Sequence, residues 1–180
     1  MIPVRAVPTE ELGARRVAQL RALVDAAWGN DPEAFTELDW EHAMGGVHFL
    51  VEEGGHIVSH AAVVERAIEA DGHPLNTGYV EAVATLPSRQ RRGYGSAVMR
   101  AAGEHIDITF ELGALDTGLI PFYEPLGWVR WEGPTFVRTE RGPVRTADND
   151  GSVMIRPTLR TPKLDLTGSI TCDWRPGDVW

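Results

Sequence analysis

The chain has 180 residues, enough to bury the core of one domain, and its 43% hydrophobic and 24% charged content is typical of a soluble globular protein. Its formal net charge of −9 argues against nucleic-acid binding, which needs a basic surface, and favours a cationic partner. No apolar run is long enough to span a bilayer, no apolar stretch follows Arg5 as in a secretory signal, and the lone Cys172 cannot form an internal disulfide. We therefore expect a cytoplasmic protein with one domain over residues 1–180, bound to neither nucleic acid nor membrane.

The first fifty residues predict a short extended start, from Val4 to Val7, and two helices. Thr9 is a candidate N-cap for a helix that runs to about Trp28, where Gly29-Asn30-Asp31-Pro32 would stop it. Thr36 is a candidate N-cap for a second, short helix through His42, ended by a pair of glycines.

After these helices, the spacing of the hydrophobic residues changes to the alternation that is typical of strands. The further elements, in chain order, are a hairpin of two strands (His48–Glu52 and Ile57–Ile68), a turn at 70–74, a strand over Thr77–Thr85, a helix over Ser96–Ile106, a strand over Ile108–Leu115, a helix over Pro121–Leu126, and strands over Trp128–Trp131, Val153–Leu159 and Ser169–Cys172. Consecutive strands followed by a strand–helix–strand crossover predict an α/β (α+β) fold, in which helices pack on one mixed sheet.

The most specific local motif is Gln90-Arg91-Arg92-Gly93-Tyr94-Gly95, between a predicted strand and a predicted helix. Its two glycines allow backbone N–H groups to turn inward, and the helix N-terminus adds a partial positive charge. The alternative is an ordinary turn with a solvated basic cluster, but the order of strand, basic residues, Gly-x-Gly and helix favours a pyrophosphate site. This Gln-x-x-Gly-x-Gly form resembles the coenzyme A loop of the GNAT acetyltransferase superfamily.

A closer resemblance, to the aminoglycoside 2'-N-acetyltransferases, extends from about residue 35 to the end of the sequence. It is carried by Asp39-Trp40-Glu41-His42 with Gly45-Gly46 and His48, by Gly78-Tyr79-Val80-Glu81-Ala82-Val83-Ala84, by Gly113-Ala114-Leu115 and Tyr123–Trp128, and by the tail Cys172-Asp173-Trp174-Arg175-Pro176-Gly177-Asp178-Val179-Trp180. The resemblance implies the GNAT fold, acetyl-CoA as cosubstrate, acetyl transfer to the 2'-amine of an aminoglycoside, antibiotic resistance and a homodimer.

It also implies roles for particular residues. Glu81 matches the general base, which acts through water, and Tyr123 matches the general acid. Val83, Ala84 and Thr85 match the strand segment whose backbone meets the acetyl-pantetheine arm of the cofactor. The residues matching its pyrophosphate loop are Gln90, Arg91, Arg92, Gly93, Tyr94 and Gly95. The residues matching the substrate site are Asp39, Glu81, Ala82, Asp116, Asp148, Asn149, Asp178 and Trp180. Of these, Asp39, Asp178 and the terminal carboxylate of Trp180 match the groups that hold substrate ammonium and hydroxyl groups.

Each of these roles has a structural alternative. Glu81 lies in an apolar strand, where we expect partial burial, but it would also suit a strand face in solvent. Tyr123 would also suit an aromatic core, and Trp180 a frayed chain end. The six histidines lack metal-ligand spacing, so we expect structural or surface histidines and no metal. An acyl-cysteine at Cys172 would need an adjacent base, and we do not expect one.

The chain departs from the family pattern at substrate positions. Asp116 stands where a serine is usual, Asn149 where a carboxylate is common, and the segment Asp31–Phe35 differs from the usual acidic-Phe sequence. An atypical aminoglycoside such as kasugamycin is therefore one hypothesis. Two others remain open: a GNAT enzyme for another cationic amine, either a polyamine or a protein N-terminus, and a catalytically silent acyl-CoA-binding module.

Overall fold

The computed structural model describes residues 2–29 and 35–180. The helices are α1 (Gly13–Trp28), α2 (Glu37–His42), α3 (Tyr94–Thr109) and α4 (Ile120–Tyr123). The strands are β1 (Arg5–Pro8), β2 (Val47–Glu53), β3 (His56–Ala70), β4 (His73–Thr85), β5 (Leu112–Asp116), β6 (Val129–Arg130), β7 (Thr135–Thr139), β8 (Gly142–Arg145), β9 (Val153–Pro157) and β10 (Ile170–Asp173). Within this described part, no helix combines the length and the apolar character needed to cross a membrane.

The two predicted N-caps have different outcomes. Thr36 is confirmed, because its hydroxyl accepts a hydrogen bond from the Asp39 N–H and the Asp39 carboxylate accepts from the Thr36 N–H, which is a capping box. Thr9 is wrong as the cap of α1. It begins a 3₁₀ turn instead, and its hydroxyl accepts from the N–H of Gly45 at 2.9 Å, so α1 starts only at Gly13. The predicted stop over Asn30–Pro32 and the departure over Asp31–Ala34 lie outside the described residues.

The described residues form two compact units. The first comprises the described residues of 1–64 together with 80–104. In it, β1 pairs with β2 and β2 pairs with β3, both antiparallel, which confirms the predicted hairpin. Its core joins α1 and α2 to the four strands β1 to β4 through residues such as Leu20 of α1, Trp40 of α2 and Leu50 of β2. Every residue from Ile57 to Val64 is buried, as in a strand covered on both faces.

The second unit comprises residues 65–79 and 105–180. Its strands follow the order β6-β9-β5-β4-β3-β10-β7-β8. The pairs β4–β5 and β10–β7 are parallel, and the pairs β6–β9, β9–β5, β3–β10 and β7–β8 are antiparallel. Glycine is needed at Gly78 of β4, because a Cβ there would lie 2.6 Å from Cδ2 of Phe110. The parallel and antiparallel pairs confirm the predicted mixed sheet with helices.

Two elements of the second half of the chain differ from the sequence prediction. The strand predicted over Ile108–Leu115 is wrong at its start, since α3 continues to Thr109 and β5 begins at Leu112. The hairpin of β7 and β8 was missed, because the sequence signals weaken beyond Gly133. The single-domain boundary of 1–180 stays a prediction.

Candidate active site

Glu81 lies in the first unit, in the C-terminal half of β4. It is half-buried, as the sequence predicted, between the buried residues Val80 and Ala82. Ala82 has a φ of 50°, a left-handed conformation that is uncommon for a residue with a side chain and is often found at functional sites. The backbone of β4 is therefore turned at the residue that follows Glu81.

The end of β4 is held by a buried serine of β3. The Ser59 hydroxyl donates to the Ala84 carbonyl at 3.1 Å and lies 2.8 Å from the Thr85 hydroxyl. Ala84 is buried, while Val83 and Thr85 are half-buried. This contact fixes the segment that the sequence assigned to the acetyl-pantetheine arm, an assignment that stays a prediction.

The predicted pyrophosphate loop follows β4 and leads directly into α3. Arg91 and Gly93 have φ values of 59° and 84°, and such left-handed residues turn backbone N–H groups into an anion-binding concavity. Gly95 lies in the first turn of α3, whose 16 residues give its N-terminus a partial positive charge. The Gln90 side chain donates to the Thr85 carbonyl at 3.5 Å, which ties the loop to β4. These features, with the exposed side chains of Arg91 and Arg92, fit the diphosphate of coenzyme A.

Glu53 of β2 binds two side chains of this region. Its carboxylate accepts from Arg89 at 2.8 Å and from the Tyr94 hydroxyl. The hydrogen bond from Tyr94 is the main cause that lowers the pKa of Glu53, and the same bond raises the pKa of Tyr94. Arg89 therefore carries a paired charge, so the cations that remain for an anion are Arg91 and Arg92.

Several predicted substrate residues lie together in the second unit. The Asn149 amide donates to Oδ2 of Asp116, at the end of β5, at 3.0 Å. Oδ1 of Asp116 is buried and accepts no hydrogen bond from the described part of the chain. Burial raises the pKa of the Asp116 carboxyl, and the nearby negative charge of Asp178 adds to the increase. The side chains of Ser152 and Asn149 oppose this increase in the pKa of Asp116. The Ser152 hydroxyl donates to the Asn149 carbonyl at 2.8 Å, which links the two residues.

The C-terminal tail is fixed to the second unit rather than frayed. Trp180 is only 3% exposed, and its indole N–H donates to the Thr146 hydroxyl at 2.9 Å. The Trp180 N–H donates to Asp178 at 3.2 Å, while Arg175 donates to Trp180 O at 3.0 Å. The sequence prediction overlooked Arg175, which already binds the oxygen of Trp180 that was assigned to a substrate ammonium group. Asp178 itself is exposed.

Tyr123 closes the short helix α4. It is 6% exposed, and its ring lies edge-on to Phe122 and Trp128, with centroids 4.8 and 6.3 Å away. Burial raises the pKa of Tyr123 to about 12, so its hydroxyl holds its proton tightly. The ring thus has the packing of a core residue, and its role as an acid stays a prediction.

Two other predicted substrate residues have different surroundings. Oδ2 of Asp39 accepts from both the N–H and the hydroxyl of Thr36, at 2.7 and 2.8 Å, so this oxygen serves the cap of α2. Asp148 is exposed in a 3₁₀ turn of the second unit. The first unit therefore holds Asp39, Glu81, Ala82 and the cofactor residues, and the second holds Asp116, Tyr123, Asp148, Asn149, Asp178 and Trp180.

Two buried histidines were not expected to interact. His48 of β2 and His60 of β3 are both 0% exposed, and Nδ1 of His48 lies 2.9 Å from Nε2 of His60. Each histidine lies within an otherwise apolar strand, and this pattern could have indicated that both are buried. Their contact with each other could not be predicted, because it depends on the register of the two strands. Among residues 2–29 and 35–180, no group of three histidine, cysteine or acidic residues could hold a metal ion. Burial raises the pKa of Cys172, and its thiol donates to the Val179 carbonyl at 3.2 Å.

Comparison with known proteins places this arrangement in a family. Residues 10–130 match the family model described as "Acetyltransferase (GNAT) domain". An aminoglycoside 2'-N-acetyltransferase from Mycolicibacterium fortuitum is 37% identical over 98% of this chain and 91% of its own length. Near-complete coverage at this identity relates both units to one enzyme family.

Solved structures support the fold. A probable N-acyltransferase from Enterococcus faecalis V583 has a TM-score of 0.58 at 18% identity over 73% of this chain, which spans only 33% of that structure. A GNAT family acetyltransferase from Brucella melitensis, solved in complex with acetyl-CoA, has a TM-score of 0.53 at 18% identity, covering 85% of this chain and 96% of its own. GNAT acetyltransferases use acetyl-CoA, and the assignment of residues 90–95 to its diphosphate stays a prediction. The chain belongs to the GNAT acetyltransferases and, within them, to the aminoglycoside 2'-N-acetyltransferase family.

Proposed function

We propose that this protein transfers the acetyl group of acetyl-CoA to an amino group, the 2'-amine, of an aminoglycoside. The observation that carries the proposal is the 37% identity to an aminoglycoside 2'-N-acetyltransferase over 98% of the chain. The net charge of −9 is consistent with a polycationic substrate.

Glu81 is the proposed general base. An ammonium group must lose a proton before it attacks a thioester, and an unperturbed glutamate titrates near a pH of about 4.3, whereas an α-amino group titrates near about 8. The family pattern has the proton pass from the amine to Glu81 through intervening water; this relay spans the distance but leaves the unfavourable difference as part of the barrier. Glu81→Gln should lower turnover by about 10²–10⁴-fold, the usual contribution of a positioned base. Glu65→Gln, at an exposed position of β3, is the matched control; wild-type turnover in Glu81→Gln would remove Glu81 from the mechanism.

Tyr123 is the proposed general acid for the departing thiolate. Its pKa of about 12 keeps the hydroxyl protonated at neutral pH, and the proton leaves only as negative charge develops on sulfur. Tyr123→Phe retains the ring and its edge-on contacts with Phe122 and Trp128 while removing the proton. We expect turnover to fall at least about tenfold with little change in thermal stability. Unchanged turnover would leave Tyr123 with a packing role alone.

Asp116 is the proposed ammonium-binding carboxylate. Its buried Oδ1 lacks a partner within the described residues, and leaving such a group unpaired is unfavourable. A substrate ammonium group would satisfy this oxygen and lower the raised pKa of the carboxyl. Asn149 orients the other oxygen through its hydrogen bond at 3.0 Å, while Asp178 adds negative charge near the same carboxyl. The other members of the proposed substrate set are Asp39, Glu81, Ala82, Asp148 and Trp180.

The decisive experiment is mass spectrometry of an amine panel incubated with purified enzyme and acetyl-CoA. The panel contains gentamicin, tobramycin, kasugamycin, a polyamine and a peptide with a free N-terminus. A single added acetyl group on an aminoglycoside, located at the 2'-amine by fragmentation where that amine is present, is the expected result. Acetylation of the polyamine or peptide alone would refute the proposal in favour of another cationic amine.

The same panel tests the two narrower hypotheses. Asp116 and Asn149, at positions where serine and a carboxylate are usual, support an atypical substrate such as kasugamycin. Much faster acetylation of gentamicin or tobramycin would refute that preference. Thermal stabilisation by acetyl-CoA, with no release of the coenzyme A thiol in the presence of any amine, would instead identify a silent acyl-CoA-binding module.

Antibiotic resistance in the cytoplasm, where acetyl-CoA is made, is the proposed physiological role, and a homodimer is the proposed assembly. The exposed β8, last in the strand order, with Val144 51% exposed, would suit pairing between copies. Sedimentation should give twice the monomer mass of 19.8 kDa. Expression in a sensitive bacterium should raise the inhibitory concentration of the preferred antibiotic.

A further inference from the structure

A chain of three hydrogen bonds runs through the buried interior of the first unit and ends on β4. The Thr9 hydroxyl lies 2.8 Å from Nε2 of His48, whose Nδ1 lies 2.9 Å from Nε2 of His60. Nδ1 of His60 lies 2.8 Å from the carbonyl oxygen of Ala82. Both imidazoles are 0% exposed, so water does not compete for these bonds.

The Ala82 carbonyl, at the end of the series, determines which atom donates in each of the three hydrogen bonds. A carbonyl oxygen only accepts, so His60 carries its proton on Nδ1 and donates it to Ala82. In a neutral imidazole the other nitrogen then accepts, so His48 donates from Nδ1 to Nε2 of His60 and accepts from the Thr9 hydroxyl at Nε2. The Gly45 N–H donates to the Thr9 oxygen at 2.9 Å. The Thr9 proton has two acceptors within reach, Nε2 of His48 at 2.8 Å and the Gly46 carbonyl at 3.2 Å, and the shorter contact is the one to His48. Burial lowers the pKa of His48 to about 4 and of His60 to about 3, which keeps both neutral.

The carbonyl that accepts from His60 belongs to Ala82, the residue after Glu81. The φ of Ala82 is 50°, which is a left-handed conformation. In a trans peptide the C=O and the following N–H point in opposite directions, so the bond from His60 also sets the direction of the Val83 N–H. A donor to the carbonyl polarises the peptide and strengthens that N–H as a donor. Val83 begins the segment assigned to the acetyl-pantetheine arm.

We propose that Thr9, His48 and His60 form a positioning relay that holds the Ala82–Val83 peptide so that the Val83 N–H donates to the thioester carbonyl oxygen. This inference rests on the proposed function. His60 acts as a positioning residue, since it touches the Ala82 carbonyl rather than the substrate. Negative charge that develops on the thioester oxygen is then met by an N–H already aligned for it.

Nitrogen-15 NMR of the histidine rings in the wild-type protein tests the direction of the relay. We expect both His48 and His60 to be neutral with the proton on Nδ1. A proton on Nε2 of His60 would overturn the relay, because Nδ1 could then not donate to Ala82. This measurement needs neither a substrate nor a variant.

Steady-state kinetics test the link to catalysis. His60→Leu removes the donor to Ala82, whereas His60→Asn places an amide N–H near the position of Nδ1. We expect kcat to fall on the order of 10²-fold in His60→Leu, the scale of losing one oxyanion donor, with the KM for acetyl-CoA little changed. His60→Asn should restore most of that loss and keep the wild-type chemical shift of the Val83 amide. Equal loss of kcat in both variants, or a loss that follows only the folded fraction, would overturn the proposal.

Two further measurements keep the result clear. Thr9→Val acts at the far end of the relay, away from β4, and should give a smaller loss of kcat together with a changed nitrogen shift at His48. His56→Gln, at an exposed position of β3, should retain wild-type kcat. If the wild-type enzyme acetylates no amine, the proposed function fails, while the ring tautomers and the Val83 amide shift still decide whether the relay exists.

Discussion

Acidification should destabilise this protein well above the pH at which most carboxylates titrate. In the unfolded chain His48 and His60 bind protons near pH 6.5, but burial lowers their folded pKa values to about 4 and about 3. Between these values the unfolded state binds protons that the native state does not, so stability falls as the pH falls. From pH 7 to pH 5 the loss is about 2 kcal/mol for each histidine and about 4 kcal/mol for the pair.

Urea unfolding followed by tryptophan fluorescence at both pH values measures this loss. We expect the urea midpoint to fall by roughly 2 M, given a dependence of about 2 kcal/mol per M. His60→Asn should reduce the loss to about 2 kcal/mol, because only one buried histidine then remains in the pair. His73→Gln, which removes an exposed histidine, is the control and should behave as wild type.

Other groups do not obscure the comparison. Burial also lowers the pKa of His105, which adds to the loss, whereas the raised pKa of Asp116 opposes it. Both groups are the same in wild type and in His60→Asn, so the difference between the two proteins isolates His60. An equal free energy of unfolding at pH 7 and pH 5 in the wild type would refute the argument.

Asp116→Asn should raise the KM for the aminoglycoside about tenfold, the cost of losing one charge-assisted hydrogen bond, with thermal stability retained; an unchanged KM would exclude Asp116 from binding. Gly78→Ala should lower the free energy of unfolding by about 1–3 kcal/mol in urea titrations, because its Cβ would overlap Phe110, whereas Gly118→Ala, with open space around it, should not; equal effects would contradict the packing argument. Arg91→Ala should raise the KM for acetyl-CoA, and more strongly at low salt; a salt-independent effect would exclude an ionic role.

The sequence predicted what depends on neighbours along the chain. The cap at Thr36 needs only the carboxylate three residues later, and the loop of residues 90–95 needs only its glycines between a strand and a helix. By contrast, β7 pairs with β10, whose partner residues lie about 35 positions away, so no local pattern identifies it. The cap assigned to Thr9 was wrong for the same reason, since its hydroxyl is used by distant glycines.

The site shows the same limit. The contact between His48 and His60 follows from the register of β2 and β3, in which His48 stands opposite Ala62, two residues beyond His60. Such diagonal neighbours lie close enough to interact, but they can be identified only when the register of the two strands is known. The binding of the Trp180 oxygen by Arg175 and the unpaired oxygen of Asp116 likewise depend on how the tail and a turn fold back, which residue types alone do not specify.

The pairing of Glu53 with Arg89 and Tyr94 changes how the charge of the cofactor loop is counted. Three of the four residues directly before Gly93 are arginines, but one of them, Arg89, is neutralised by the carboxylate of Glu53 on β2. The electrostatic attraction that an incoming diphosphate experiences at long range therefore comes from two guanidinium groups, and association rates should vary with ionic strength accordingly. Replacing Glu53 by glutamine would release the third charge and accelerate capture of the anion, at the expense of the anchor that keeps the loop against its hairpin.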